Sequence, residues 1–222
     1  MTIHIGMLLY PNLTQLDLTG PFEVLHQVPN AEVHLAWKTI EPVVADSKLA
    51  LVPNMTLAAC PQLDVLFVPG GIGQVALMDD PEVIEFLRSQ GQRARYVTSV
   101  CTGALLLGVT GLLAGYEAAT HWAFMDLLPL FHARPVRRRV VIDRNRITGG
   151  GVTAGIDFGL RLAAELSSET IAKEIQLGLE YNPDPPFRSG HPDVAEPAVV
   201  DTVRTKLHQL LDRRREQIRA LV

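Results

Sequence analysis

Apolar positions along this chain fall into two kinds of run. Ile3 to Tyr10 and Asp64 to Val68 are almost continuously apolar. Runs of that kind mark strands covered on both faces, as in a parallel sheet. Tyr96-Val97-Thr98 is shorter and of the same type. Glu32 to Trp37 alternates and reads as a second strand, and Leu49 to Val52 as a short strand or hairpin before Pro53-Asn54. Helix-compatible stretches lie between them. One starts at Pro21, a residue suited to a first turn, with Thr19 or Gly20 as its cap. Another runs from Pro81 through Gln92 behind Asp79 and Asp80, and a third covers Ala104 to Val109. Further on come Ala154 to Leu166, a helix capped by Ser168 that runs to about Tyr181, and a terminal helix over 198–222. Strands alternating with helices predict an α/β fold, a mainly parallel central sheet flanked by helices. No repeat or linker interrupts the pattern, so 1–222 reads as one domain. Residues 181–197 are rich in proline and predict no helix. Such an arm is long for a compact domain, which points to packing on something else, with a second subunit as the candidate.

The chemistry concentrates where one strand stops. Cys101 follows Tyr96 to Val100 and precedes a helix, so it sits on a sharp turn that Gly103 lets pass closely. A thiol at a helix N-terminus meets free N–H groups and the positive end of the dipole, which predicts a pKa below the ordinary value. A small buried hydrophobe is the plainer role for a free cysteine, but the strand-to-helix position favours a nucleophile. Cys60, before Pro61, has no acid–base partner nearby in sequence and reads as structural.

Other candidates follow in chain order. Asp17 is placed by the Pro21 assignment in the loop ahead of the first helix. It reads either as a capping carboxylate or, between Leu16 and Leu18, as a partly buried one with a raised pKa. Gly70-Gly71 ends the strand 64–68, where open α/β sheets bind ligands, but the string fits no nucleotide-binding fingerprint. Gly149-Gly150-Gly151 reads as a close-packed loop bordering the site. His121 is a possible base for Cys101, although a packed, hydrogen-bonded histidine is the more economical role. Arg137-Arg138-Arg139 sits in a β-like run and reads as a charge-protected edge strand, and Arg213-Arg214-Arg215 as a solvated helix face.

Bulk properties narrow the class. Of 222 residues, 47% are hydrophobic and 20% charged, enough for a sizeable core. A net charge of −4 gives no general attraction to nucleic acid or anionic membranes. Two cysteines without a Cys/His cluster argue against a disulfide framework and a structural zinc, which leaves reducing cytoplasm as the expected compartment. The N-terminus lacks the features of a signal peptide, and no apolar run is long enough to span a membrane.

Taken together, LTQLDLTGP, FVPGG, SVCTGA, ATHW, ITGGGVTAGID and YNPDPPF resemble the ThiJ/PfpI superfamily over nearly the whole chain. Within it the sequence is most similar to the isonitrile hydratases, which convert R–N≡C to the N-substituted formamide. An aspartate at Asp17 separates that branch from the many members with a glutamate, though some AraC-type regulators share it. The resemblance implies a flavodoxin-like sandwich and a homodimer without metal or cofactor. It also implies a nucleophile at Cys101, an acid at Asp17 and assistance from Thr102. On that reading the N–H groups of Gly71 and Thr102 stabilise developing negative charge, and Gly150, Gly151 and His121 line the site. The alternatives are glyoxalase-like or amidohydrolase chemistry on the same cysteine, or a ligand-sensing module like that of the AraC-type regulators. Redox sensing by Cys101 is compatible with any of these.

Overall fold

The structure is a computed structural model and describes residues 2–221. A seven-stranded sheet forms its centre, in the order β10-β11-β7-β6-β1-β2-β5. The strands are β1 Ile3–Leu8, β2 Ala31–Trp37, β5 Met55–Thr56, β6 Val65–Val68, β7 Tyr96–Val100, β10 Val140–Asp143 and β11 Arg146–Gly149. Every pairing is parallel except β10 with β11. The continuous apolar runs became β1, β6 and β7, the covered strands, and β6 is buried at every position. The alternating run became β2, nearer the edge. Two small pairs lie outside the sheet: the hairpin β3 Val43–Val44 with β4 Ala50–Leu51, and β8 Glu117–Ala118 with β9 Arg134–Pro135.

Six α-helices accompany the sheet: α1 Gln15–Leu25, α2 Pro81–Gly91, α3 Gly103–Val109, α4 Ala154–Leu166, α5 Glu169–Gly178 and α6 Pro197–Leu221. Two 3₁₀ segments cover Ile72–Leu77 and Trp122–Phe131. Asp80 caps α2 by accepting from Val83 N–H, and Ser168 caps α5 by accepting from Ile171 N–H. None of the helices among the described residues is long and apolar enough to cross a membrane.

Two expectations are corrected. Helix α1 begins at Gln15, so Pro21 lies inside it and Asp17 in its first turn. A proline costs most in a helix with nothing to offset it, because it leaves the carbonyl four residues back without a donor. Here Pro21 is buried, and Gly155 of α4 gives it room: a Cβ there would lie 2.9 Å from the Pro21 ring. The basic triplet 137–139 is not itself the edge strand. It lies in the loop before β10, with Arg139 paired to Asp157 at 2.6 Å.

Candidate active site

The carboxyl ends of β1, β6, β7 and β11 stand side by side, and each delivers one wall of the site. Between β7 and α3 the chain turns at Cys101, whose φ of +54° is left-handed. For a residue with a Cβ this conformation costs on the order of 1–3 kcal/mol and persists only when its surroundings hold it. They do so from both sides. Cys101 N–H donates to the carbonyls of Gly150 (2.7 Å) and Gly149 (3.2 Å), and Thr120 Oγ1 donates to the Cys101 carbonyl (2.8 Å). Gly103 lets this elbow close, since a Cβ there would lie 2.1 Å from the Val68 carbonyl oxygen.

The loop after β6 fastens the elbow to α1. Gly71 has φ +137°, and a Cβ on it would lie 2.4 Å from the Thr14 nitrogen, so only glycine fits. Gly70 N–H donates to Asp17 Oδ2 (2.9 Å), and Gly71 N–H donates to Thr102 Oγ1 (3.1 Å). Thr102 therefore does not cap α3 with its hydroxyl; it holds the Gly71 peptide. The Gly71 N–H, expected to face a reacting centre, is occupied by that hydroxyl. The Thr102 N–H faces the Cys101 sulfur instead.

Asp17 is fully buried beside Cys101, and each acts on the other's proton affinity. Burial pushes the Asp17 carboxyl up to about 7, against the opposing pull of the Cys101 thiol and of Gly70 N–H. Its Oδ2 is taken by Gly70, while Oδ1 has no hydrogen-bond partner, so Oδ1 is the atom free to carry a proton. Cys101 corrects the sequence reading. Its pKa is raised, first by burial and then by Asp17, and these outweigh the lowering from Thr102 N–H and Arg214. The helix terminus acts as expected, but on a thiol with only 6% of its surface exposed. With Asp17 near 7 and the thiol raised, the pair passes from two protons to one shared proton as pH rises through about 7.

One residue of this site escaped the sequence reading. Arg214 of α6 is 2% exposed, its guanidinium lies 4.5 Å from the Phe124 ring, and its Nη2 donates to the Gly71 carbonyl (3.2 Å). Inside an Arg-Arg-Arg run it looks solvated; helical phase with buried Ile218, four residues on, was the available signal.

His121 is placed near the elbow without bonding to Cys101. Its Nδ1 accepts from Ala123 N–H (3.3 Å), and burial followed by the Arg214 charge lowers its pKa to about 4. It is thus neutral at physiological pH and a poor acid. Together with Thr120, Gly150 and Gly151 it lines a cavity of about 610 Å³ that also reaches Arg137 and Arg138 and the arm at His191. On the opposite side of the molecule, parallel pairing of β1 with β2 assembles a His/Glu cluster that the sequence did not reveal. The ligand atoms of His4, Glu32 and His34 lie within 4.8 Å of one another. His4 Nδ1 and His34 Nε2 are 3.0 Å apart, the distance of an imidazole–imidazole hydrogen bond.

Known proteins resemble the chain over nearly its whole length. The model of the DJ-1/PfpI family matches residues 4–165. Isonitrile hydratase of Pseudomonas putida is 54% identical over 216 residues, covering 97% of this chain and 95% of that protein. The crystal structure of a ThiJ/PfpI family protein from Pseudomonas syringae superposes with a TM-score of 0.91 at 45% identity, over 100% of this chain and 90% of that one. The transcriptional regulator GbdR of Pseudomonas aeruginosa is 32% identical over 71% of this chain, which spans only 45% of the regulator. The chain belongs to the DJ-1/PfpI family.

Proposed function

We propose that this protein is an isonitrile hydratase, with Cys101 as nucleophile and Asp17 as general acid and base. The observation that carries the mechanism is the buried Asp17–Cys101 pair, in which Asp17 has a pKa of about 7 and an unpartnered Oδ1. An isonitrile carbon accepts a soft nucleophile only if a proton arrives as the bond forms. In the tautomer with the shared proton on Asp17 Oδ1, the Cys101 thiolate attacks the carbon of R–N≡C. The carbon takes the proton from Oδ1, giving the thioimidate S–CH=N–R and an ionised Asp17. Water then adds to the same carbon; one of its protons goes to Asp17, which is thereby restored, and the other passes to the nitrogen as the adduct collapses. Collapse breaks the C–S bond and releases R–NH–CHO with the thiolate. Thr102 N–H stabilises the sulfur whenever it is charged, and the Thr102 hydroxyl holds Gly71 in place. The likeness to the P. putida enzyme over nearly the whole length of both chains supports this reading.

The sequence of steps calls for no metal or cofactor. We further propose that the enzyme is a cytoplasmic homodimer in which the proline-rich arm, exposed along most of its length here, meets the partner. The test offers a simple alkyl isonitrile, methylglyoxal and a peptide in turn. Formamide from the isonitrile alone is the expected result, with the formyl oxygen labelled when turnover runs in ¹⁸O water. Consumption of methylglyoxal or peptide instead would assign the cysteine to a different reaction, and an unlabelled formamide would rule out attack by water.

A further inference from the structure

We propose that Arg214 is a positioning residue for Cys101: from helix α6 its guanidinium holds the Gly71 carbonyl and supplies the fixed positive charge that the sulfur needs when it ionises. This rests on Cys101 being the nucleophile.

A cation stripped of water and given no carboxylate is expensive to keep. Arg214 is 2% exposed, and no acidic side chain among the described residues pairs with it. Its Nε and Nη1 have no hydrogen-bond partner, and only Nη2 is engaged, on Gly71. Burial lowers its pKa only to about 10, so it stays charged at neutral pH. A buried residue of that kind is not filling space, since a methionine would pack there at lower cost.

What it faces explains its presence. The titratable groups that feel its charge are Tyr10 after β1, Cys101 at the elbow and His121 before the 3₁₀ segment 122–131, while Asp17 of α1, with Asp46 behind it, acts on Tyr10 and Cys101. Burial raises Tyr10 well above its ordinary value, so it stays neutral, and His121 is neutral as well. Asp17 opposes ionisation of the sulfur, which leaves Arg214 as the cation that favours it. The mechanical role is separate. Gln217, three residues on, donates to the Val75 carbonyl (2.7 Å), so α6 holds both the residue ahead of the 3₁₀ segment 72–77 and the segment itself. Arg214 holds Gly71 by its carbonyl and Thr102 holds it by its N–H, so the peptide groups on both sides of this residue are fixed. The family model ends at residue 165, so this charge comes from beyond the family-wide core.

The experiment compares R214Q, which retains a donor but no charge, with R214K, which retains the charge. Each is alkylated with iodoacetamide from pH 6 to 10, and labelling of Cys101 is followed by mass mapping, with circular dichroism to confirm folding. R214Q should slow labelling about tenfold at each pH of the scan, the loss that goes with raising the thiol by about one further pH unit. R214K should stay close to the parent. A superimposable R214Q profile, or an R214K profile shifted as far as that of R214Q, would overturn the proposal. If R214Q does not fold, R214K decides: parental labelling rates across the scan support the charge role, and a loss of about tenfold contradicts it. With an isonitrile as substrate, kcat/KM of R214Q should fall by about the same factor. If the parent makes no formamide, the hydratase reading fails, while the alkylation comparison still decides the role of Arg214.

Discussion

The chain's two cysteines sit in contrasting surroundings. Cys60 lies half-buried after β5, and burial alone raises its thiol to about 11. Cys101 is more deeply buried and is also raised. Reactivity therefore does not follow from a low resting pKa. The difference lies in what surrounds each sulfur. Around Cys101 stand a carboxyl that shares its proton, an N–H aimed at the sulfur and a buried guanidinium. No such groups act on Cys60. Burial keeps the thiol neutral until substrate displaces the proton, and the three groups make the charged form reachable at that moment.

The sharpest break in this comparison is removal of each sulfur in turn. C101A should abolish formamide production, a loss of about 10⁴-fold or more, while C60A keeps nearly full turnover, as read by product chromatography. Next in size is D17N, which keeps the shape but cannot deliver a proton. Turnover should fall by ~10²-fold or more. In the parent, kcat/KM should rise as pH passes up through about 7, because the pair then drops from two protons to the single shared one from which the thiolate and protonated Asp17 are drawn. The rise at that pH should be absent from the residual activity of D17N.

A smaller effect is on stability. The Asp17 carboxyl binds its proton more tightly when folded, at about 7 against 3.8. Its contribution is fully present below the unfolded value and is lost as pH rises through about 7. Melting curves at pH 5 and pH 8 should show the parent losing several degrees more than D17N. A parallel decline would show that Asp17 ionises normally. Smallest is the alkylation contrast: iodoacetamide near neutral pH should label Cys101 before Cys60. Equal rates would mean that the partners around Cys101 do not assist ionisation.

The sequence revealed what repeats along the chain and concealed what depends on side chains meeting across it. β1, β6 and β7 were legible because short apolar runs rich in β-branched residues and bounded by turn residues suit covered strands. The elbow at Cys101 was legible from the strand before it and the helix after it. Pro21 misplaced the start of α1, because room supplied by Gly155 is a property of packing. The thiol's pKa was misjudged because the dipole is local, whereas burial is set by the whole fold. Arg214 was hidden by its neighbours: Arg213 and Arg215 are on other helix faces, and only the middle residue of the run turns inward. Thr102 was singled out, but its bond to Gly71 joins residues 31 positions apart.

The central claim is that the isonitrile carbon becomes bonded to the Cys101 sulfur. Acid-quenched mass spectrometry of the enzyme mixed with an alkyl isonitrile tests it directly. The account predicts a transient mass increase equal to one isonitrile, mapped to the peptide bearing Cys101 and absent from C101A. Formamide forming at full rate with no such adduct, or with the adduct on Cys60, would contradict it.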